Sequence, residues 1–221
     1  MTEIEGWLTP AQAARLEACA SRPRPEGAVV EIGSFRGRST VVLARAAGEV
    51  IAIDPHAGSD RGPQEIAADA GRGDADYEAF HANIAGLPIR HIRKFSADAL
   101  GDVSGPISLL YVDGAHRFGP ARADLRDWGR RVPPGGTMLV HDSFSSIGVT
   151  LALFTVRGWR YVGRTGSLAE FRRSPGATSF GRMALELPWF ARNVAIKVLV
   201  MAGRRAWAER LGLAPGAPWP Y

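Results

Sequence analysis

Residues 29–40 read Val-Val-Glu-Ile-Gly-Ser-Phe-Arg-Gly-Arg-Ser-Thr. Ala28, Val29, Val30 and Ile32 form an apolar run of strand length that breaks at Gly33, and a helix starts near Ser39. Free backbone N–H groups and the helix dipole would face the turn Gly33-Ser34-Phe35-Arg36-Gly37, a setting for an anionic ligand. Gly33 and Gly37 permit positive φ and close approach of a ligand to the backbone. The next apolar run, Val50–Ile53, ends in Asp54, 21 residues after Gly33. That distance suits a carboxylate accepting hydrogen bonds from ribose hydroxyls. The turn alone is equally an ordinary buried strand with a tight bend; with Asp54 added, it reads as a site for a nucleoside-type ligand.

The chain of 221 residues is long enough for one good core and an appendage. Hydrophobic residues make up 46% and charged residues 22%, which excludes a disordered chain. A single cysteine, Cys19, excludes an intrachain disulfide and a cysteine-based metal cluster. It points to a reducing compartment, so a cytoplasmic protein is expected. The start of the sequence is acidic and lacks the apolar stretch of a signal peptide, and no run of about 18 apolar residues occurs. Residues 157–221 carry 11 of the 27 basic and 3 of the 22 acidic side chains, a net +8. The basic balance thus belongs to the tail, which argues against a nucleic-acid-binding body.

Outward from the opening turn, Thr9-Pro10-Ala11-Gln12 is a helix start with a capping box, and the helix should run over residues 9–22 at an edge of the ligand site. Residues 55–75 are rich in Gly, Asp and Ala without a clear period and read as a lid loop. Tyr77, Phe80 and Ile84 mark a short helix, and Pro88 to Phe95 a third strand followed by Ser96-Ala97-Asp98. Ile107 to Val112 is a continuous apolar run, as in a central parallel strand, and ends in Asp113-Gly114-Ala115-His116. Ala121, Leu125, Trp128 and Val132 follow at helical spacing. A fifth strand, Thr137 to Val140, ends in His141-Asp142, and a helix runs through Phe154. Trp159 to Val162 and Leu168 to Phe171 are joined too closely for a helical crossover and should pair antiparallel.

Strands alternating with helices predict an α/β fold, a doubly wound Rossmann-like sheet. Ligands bind such sheets at the carboxyl ends of the strands. Glu31, Asp54, Ser96, Asp98, Asp113, His116, His141 and Asp142 all fall there. Five apolar runs ending in polar residues form the strongest functional signal in the sequence.

These residues resemble the class I S-adenosylmethionine-dependent methyltransferases, and most of all the small O-methyltransferases of the catechol, sugar and macrolide type. The resemblance covers about residues 9–173, leaving 174–221 as a basic helical extension. It implies a seven-stranded sheet, mostly parallel with an antiparallel terminal hairpin, and S-adenosylmethionine as cofactor. The Glu-x-Gly-x-x-x-Gly-x-Ser pattern at Glu31, Gly33, Gly37 and Ser39, with Ser34 in the turn, implies the methionine end of the cofactor site. The ribose acid falls on Asp54, and the adenine neighbours on Ser96 and Ala97, with Asp98 beside them. The resemblance also implies a metal-binding Asp113, a base at His116 where the catechol type carries Lys, and Asp142 after the fifth strand. The third metal ligand departs from the family: Asp142-Ser143 stands in place of Asp-Asn, and His141 precedes it. Mg²⁺ held by Asp113, Asp142 and His141 is therefore an open expectation.

Methyl transfer to a hydroxyl needs a positioned nucleophile and removal of its proton, and His116 suits that task near neutral pH. O-methylation of a small hydroxylated acceptor, a sugar or secondary metabolite, is the expected reaction. The bland alternatives are an Asp113–His116 hydrogen bond that merely orders a loop and a His141 that merely fixes Asp142. His56 lines the expected lid, His81 reads as surface, and His91 takes no role. Residues 188–211 read as one helix, apolar on more than one face and flanked by arginines. It packs on the body or a second copy in a homodimer, lies on an anionic membrane, or caps the acceptor pocket. Two other functions compete: a nicotinamide-dependent oxidoreductase, disfavoured by the spacing of the opening glycines, and a non-catalytic cofactor-binding protein docked through the tail.

Overall fold

A computed structural model describes residues 4–59 and 68–217. Helix α1 (Pro10–Ala20) opens on the expected capping box: Thr9 N–H donates to Gln12 Oε1 at 2.8 Å, and Gln12 N–H donates to Thr9 Oγ1. Then follow β1 (Ala28–Ile32), α2 (Arg38–Ala47), β2 (Val50–Ile53), α3 (Ala70–Ile84), β3 (Ile89–Ile92) and β4 (Ile107–Val112). After these come α4 (Phe118–Asp127) with a 3₁₀ turn at Gly129–Arg131, β5 (Thr137–Val140), α5 (Ile147–Leu153), β6 (Trp159–Thr165) and β7 (Leu168–Arg173). The tail forms α6 (Phe180–Ala184), α7 (Leu187–Met201) and α8 (Arg205–Arg210).

The seven strands form one sheet in the order β3-β2-β1-β4-β5-β7-β6. All neighbouring pairs are parallel except β5 with β7 and β7 with β6. The fold expected from the sequence is thus the fold observed. β1 and β4 lie side by side at the centre, where the strand order reverses, so the crevice opens at their carboxyl ends. Every residue of β4 is buried, which is why its sequence is continuously apolar rather than alternating. One core face gathers Val30, Ile32, Leu110, Trp128 and Phe171; the other gathers Leu16, Leu43, Leu109 and Tyr111 under α1 and α2.

Four local expectations change. β3 is confined to Ile89–Ile92, so Phe95 to Asp98 lies beyond the strand in a turn. β6 runs on through Thr165, with a register shift between Tyr161 and Gly163, and only Gly166 and Ser167 join it to β7. α3 starts at Ala70 on an Asp69 cap, inside the stretch read as loop. Gly73 within it serves packing rather than a loop: a Cβ there would meet the His56 carbonyl oxygen at 2.0 Å. Residues 60–67, the middle of the expected lid, lie outside the described residues. The single tail helix over 188–211 is two helices, because the chain turns at Gly203 (φ +71°). α8 then folds back on α7 around Ile196, Ala208 and Leu213.

Glu31 braces the centre. It is fully buried on β1, and its two carboxyl oxygens accept hydrogen bonds from Ser39 Oγ and Thr40 Oγ1, both at 2.5 Å, in the first turn of α2. Burial pushes its pKa up to about 8, against the opposing pull of the two hydroxyls. Between the ordinary value of 4.5 and about 8, the folded state keeps a proton that the unfolded chain has released. Stability through this group therefore falls as pH rises across that window. Glu31→Gln keeps a hydrogen-bonding side chain and removes the titration. Its thermal midpoint, relative to the native chain, should rise steadily from pH 5 to 8; a constant difference would contradict the brace being a protonated carboxyl.

Candidate active site

The turn between β1 and α2 is built by two constraints. Gly33 has φ +84°, and a Cβ there would lie 2.1 Å from the Asp113 carbonyl oxygen. Gly33 thus lets the ends of β1 and β4 touch. Asp54 then closes the turn. Its Oδ2 accepts from Ser34 N–H at 2.9 Å and Phe35 N–H at 2.8 Å, and its Oδ1 accepts from His56 N–H at 2.7 Å. This changes the expected electrostatics. The turn's amides at Ser34 and Phe35 already serve a carboxylate of the protein, so the floor of the crevice is anionic where an anion-binding turn was expected.

A cavity of about 420 Å³ lies over this floor, a size suited to a cofactor-sized ligand. Gly33, Ser34, Ser39, Asp54, Ser96, Ala97, Asp113, His116, His141 and Asp142 line it. Among the expected cofactor residues, Glu31 lies behind the turn rather than in the cavity, Gly37 is the N-cap of α2, and Asp98 is exposed on the turn beyond β3. Glu5 and Asp76, both paired with Arg36, and Asp124 add acidic groups to the wall, and Arg38, Arg117 and the imidazoles of His56, His116 and His141 are its basic ones. Such a lining favours a cationic or zwitterionic ligand over a phosphate-bearing one.

Several lining residues carried no signal in the sequence. Asp124, on α4, accepts a hydrogen bond from Ser96 Oγ at 2.5 Å, and burial raises its pKa to about 6. Phe95 is exposed beside Ser96 at the cavity wall, an aromatic face next to the expected adenine position. The segment Glu5-Gly6-Trp7-Leu8 covers one edge: Trp7 packs on Phe35 with ring centroids 5.0 Å apart, and Arg38 holds the Gly6 carbonyl at 3.0 Å. These groups reach the site from α4, a turn and the start of the chain, outside the strand-end positions that a sequence pattern exposes.

The other end of the cavity is a network of two carboxylates and two imidazoles. His116 Nε2 lies 2.6 Å from Asp142 Oδ2. His141 Nδ1 lies 3.1 Å from Asp113 Oδ1 and 3.7 Å from Asp142 Oδ2, and Tyr111 donates its hydroxyl to Asp113 Oδ2 at 2.9 Å. In place of the loop-ordering Asp113–His116 hydrogen bond of the bland alternative, the structure pairs His116 with Asp142 and His141 with Asp113. Burial lowers the pKa of His116, but the hydrogen bond and charge of Asp142 outweigh it and leave a net rise. Burial also opposes the charge on His141, and Asp113 and Asp142 overcome it to hold that imidazole well above its ordinary value. Asp142 sits well below the usual carboxylate range: burial pushes it up, and the two imidazoles pull it down further.

Asp113, His141 and Asp142 bring one ligand atom each within 4.8 Å of one another. Asp142 Oδ1 is buried with no hydrogen-bond partner among the described residues. Two carboxylates and an imidazole suit a divalent ion of intermediate softness better than Mg²⁺, which takes oxygen ligands. The loop that carries Asp142 is backbone-strained. Asp142 and Phe144 have φ of +54° and +56°, each a cost of about 1–3 kcal/mol for a residue other than glycine. The surroundings hold it: Ser143 N–H donates to Ser167 O at 2.9 Å, Asn193 Nδ2 to Phe144 O at 3.3 Å, and Lys197 Nζ to Ser145 O at 2.9 Å. Two of these braces come from α7, so the tail packs against the site.

Comparison with known proteins follows the same outline. The model of a family described as a methyltransferase domain matches residues 30–143. An uncharacterized protein of Sinorhizobium fredii is 28% identical over 140 residues, covering 56% of this chain; the chain spans only 14% of that relative's length. Among solved structures, the O-methyltransferase NovP superposes with a TM-score of 0.57 at 15% identity, covering 74% of this chain and 80% of that one. TomG from Streptomyces achromogenes, an O-methyltransferase in complex with S-adenosylmethionine, gives 0.51 at 16% identity, covering 75% and 79%. At such identities the likeness is one of fold. The family match, by contrast, takes in more than half of the sequence and both ends of the cavity, so the chain belongs to the methyltransferase-domain family.

Proposed function

We propose that the enzyme O-methylates a small hydroxylated acceptor, a sugar or secondary metabolite, with His116 as the base. The observation that carries this reading is the 2.6 Å His116–Asp142 pair in the same cavity as Asp54. Asp54 follows β2 and Asp142 follows β5, so they are three strand spacings apart, about 14 Å. That span leaves room for a nucleoside on Asp54 and an acceptor beside His116.

Each residue has a task in this scheme. Asp54 has further lone pairs for ribose hydroxyls while it holds the turn. Gly33 and Ser34 give a side-chain-poor approach to the methionine portion, Ser96 and Ala97 with Phe95 flank the adenine, and Asp113 supplies negative charge near the sulfonium. When bound, S-adenosylmethionine supplies an electrophilic methyl group, and its sulfur keeps the electron pair of the broken C–S bond as a neutral thioether. His116 presents Nδ1 to the acceptor, because Nε2 is engaged by Asp142. That nitrogen takes the hydroxyl proton as the new C–O bond forms. Asp142 orients the ring and stabilises its cationic form.

A second reading is favoured by the unpartnered Asp142 Oδ1. Asp113, His141 and Asp142 would hold a divalent cation, which would stabilise the ionised acceptor oxygen. The oxidoreductase alternative is opposed by the site: the diphosphate of a dinucleotide would meet the Asp54 carboxylate where it needs the turn's amides.

Transfer of a labelled methyl group from S-adenosylmethionine to a panel of sugars, phenols and amines tests the proposal. The label should appear on oxygen, and His116→Ala should lower kcat by about 10²- to 10⁴-fold while S-adenosylhomocysteine still binds. Methylation of amines alone would overturn it. Because the base must be neutral, the rate should fall as pH drops through the raised pKa of His116. Asp142→Asn removes the charge that outweighs burial, so the inflection should move to lower pH, measured in kcat against pH with chelator present. An unmoved inflection would mean that another group supplies the base.

A further inference from the structure

α7 has its polarity reversed. Along its 15 residues the polar side chains are Arg192, Asn193 and Lys197. Asn193 is buried on Phe144 O, Lys197 is half-buried on Ser145 O, and Arg192 reaches the Leu211 and Gly212 carbonyls at 2.7 Å. The residues left exposed are Leu187, Ala191, Ala195 and Val198, spaced at i, i+4, i+8 and i+11, with Pro188 in the first turn and Met201 at the end. The solvent-facing stripe is therefore entirely apolar. Val198 is 58% exposed and Met201 79%; Leu185, just before the helix, is also 79% exposed. The helix cannot roll to hide this stripe without stripping Asn193 and Lys197 of their acceptors.

We infer that the outer face of α7 docks on an anionic lipid surface. The charges around the stripe select this occupant. Arg182 on α6 lies before the stripe, and Arg204 and Arg210 lie after it. Neither Arg204 nor Arg210 has a carboxylate within ion-pair distance among the described residues. The tail's acidic groups are engaged elsewhere: Glu186 binds Tyr161 and Arg164, and Glu209 pairs with Arg205. Apolar side chains bracketed by arginines are the pattern of an interfacial helix, where the stripe enters the acyl boundary and the guanidinium groups meet lipid phosphates. A second copy would bring the same cations face to face. No helix among the described residues is long and apolar enough to cross a membrane, so α7 lies on the surface rather than through it. Trp207, 57% exposed on α8, adds an aromatic anchor next to Arg210, whose guanidinium lies 4.7 Å from its ring.

Vesicle flotation with the whole chain tests this. The protein should float with vesicles containing about one-third phosphatidylglycerol but not with pure phosphatidylcholine, and raising the salt to about 0.5 M should weaken the binding. The double variant Ala195→Glu with Val198→Glu places two carboxylates on the stripe and touches none of the inward contacts. It should lose vesicle binding by about tenfold or more while its thermal midpoint, read by circular dichroism, stays near that of the native chain. The inference is overturned if the native chain ignores anionic vesicles, or if the folded variant binds them equally well. It is also overturned if the native chain forms a dimer that the variant dissolves, with no vesicle binding, which would give the face to a second copy.

Discussion

The Asp54 carboxylate, shared among the N–H groups of Ser34, Phe35 and His56, is the interaction on which the site depends. It joins the end of β2 to the turn that leaves β1 and fixes where α2 begins. It also sets the sign of the cavity. A turn of this kind with its amides left open would attract phosphate. With a buried-edge carboxylate filling it, the same backbone presents negative charge and remaining lone pairs, which suits ribose hydroxyls and a sulfonium. Gly33 makes this possible by letting β1 and β4 meet at Asp113, so that the Asp54-filled turn and the Asp113 carboxylate are neighbours in space.

The other end of the cavity obeys a different constraint. Asp113, His116, His141 and Asp142 place two carboxylates and two imidazoles in a small buried volume. They tolerate each other there because each imidazole faces an acid. The loop that completes the set, Asp142 to Ser145, bends through positive φ twice and would relax if left alone. It is pinned by Ser167 from the terminal hairpin and by Asn193 and Lys197 from α7. The tail, which lies outside the residues matched by the family model, thereby helps hold the loop that carries Asp142. The same inward contacts leave the other side of α7 apolar and exposed.

Much of this was legible in the sequence because a parallel sheet places its chemistry at strand ends. Apolar runs ending in Asp54, Asp113 and His141-Asp142 mark the crevice in the sequence itself, and the short joint before Leu168 marks the reversed hairpin. What stayed hidden depends on contacts distant in sequence. Nothing local distinguishes a Glu31 that reaches a ligand from one that serves Ser39 and Thr40 behind the turn. The exchange of partners between His116 and His141 is decided by how β4 and β5 lie side by side. Gly73 looked like loop composition because close packing of a helix against His56 and a flexible loop both select glycine. Gly203 breaks a hydrophobic pattern that is otherwise continuous, and periodicity alone gives one helix there.

The most direct measurement is a calorimetric titration of the protein with S-adenosylhomocysteine and, separately, with NADH. If the Asp54-filled turn sets an anionic floor, S-adenosylhomocysteine should bind saturably at one site per chain and NADH should give no measurable heat of binding. Saturable NADH binding without binding of S-adenosylhomocysteine would contradict the account at its centre.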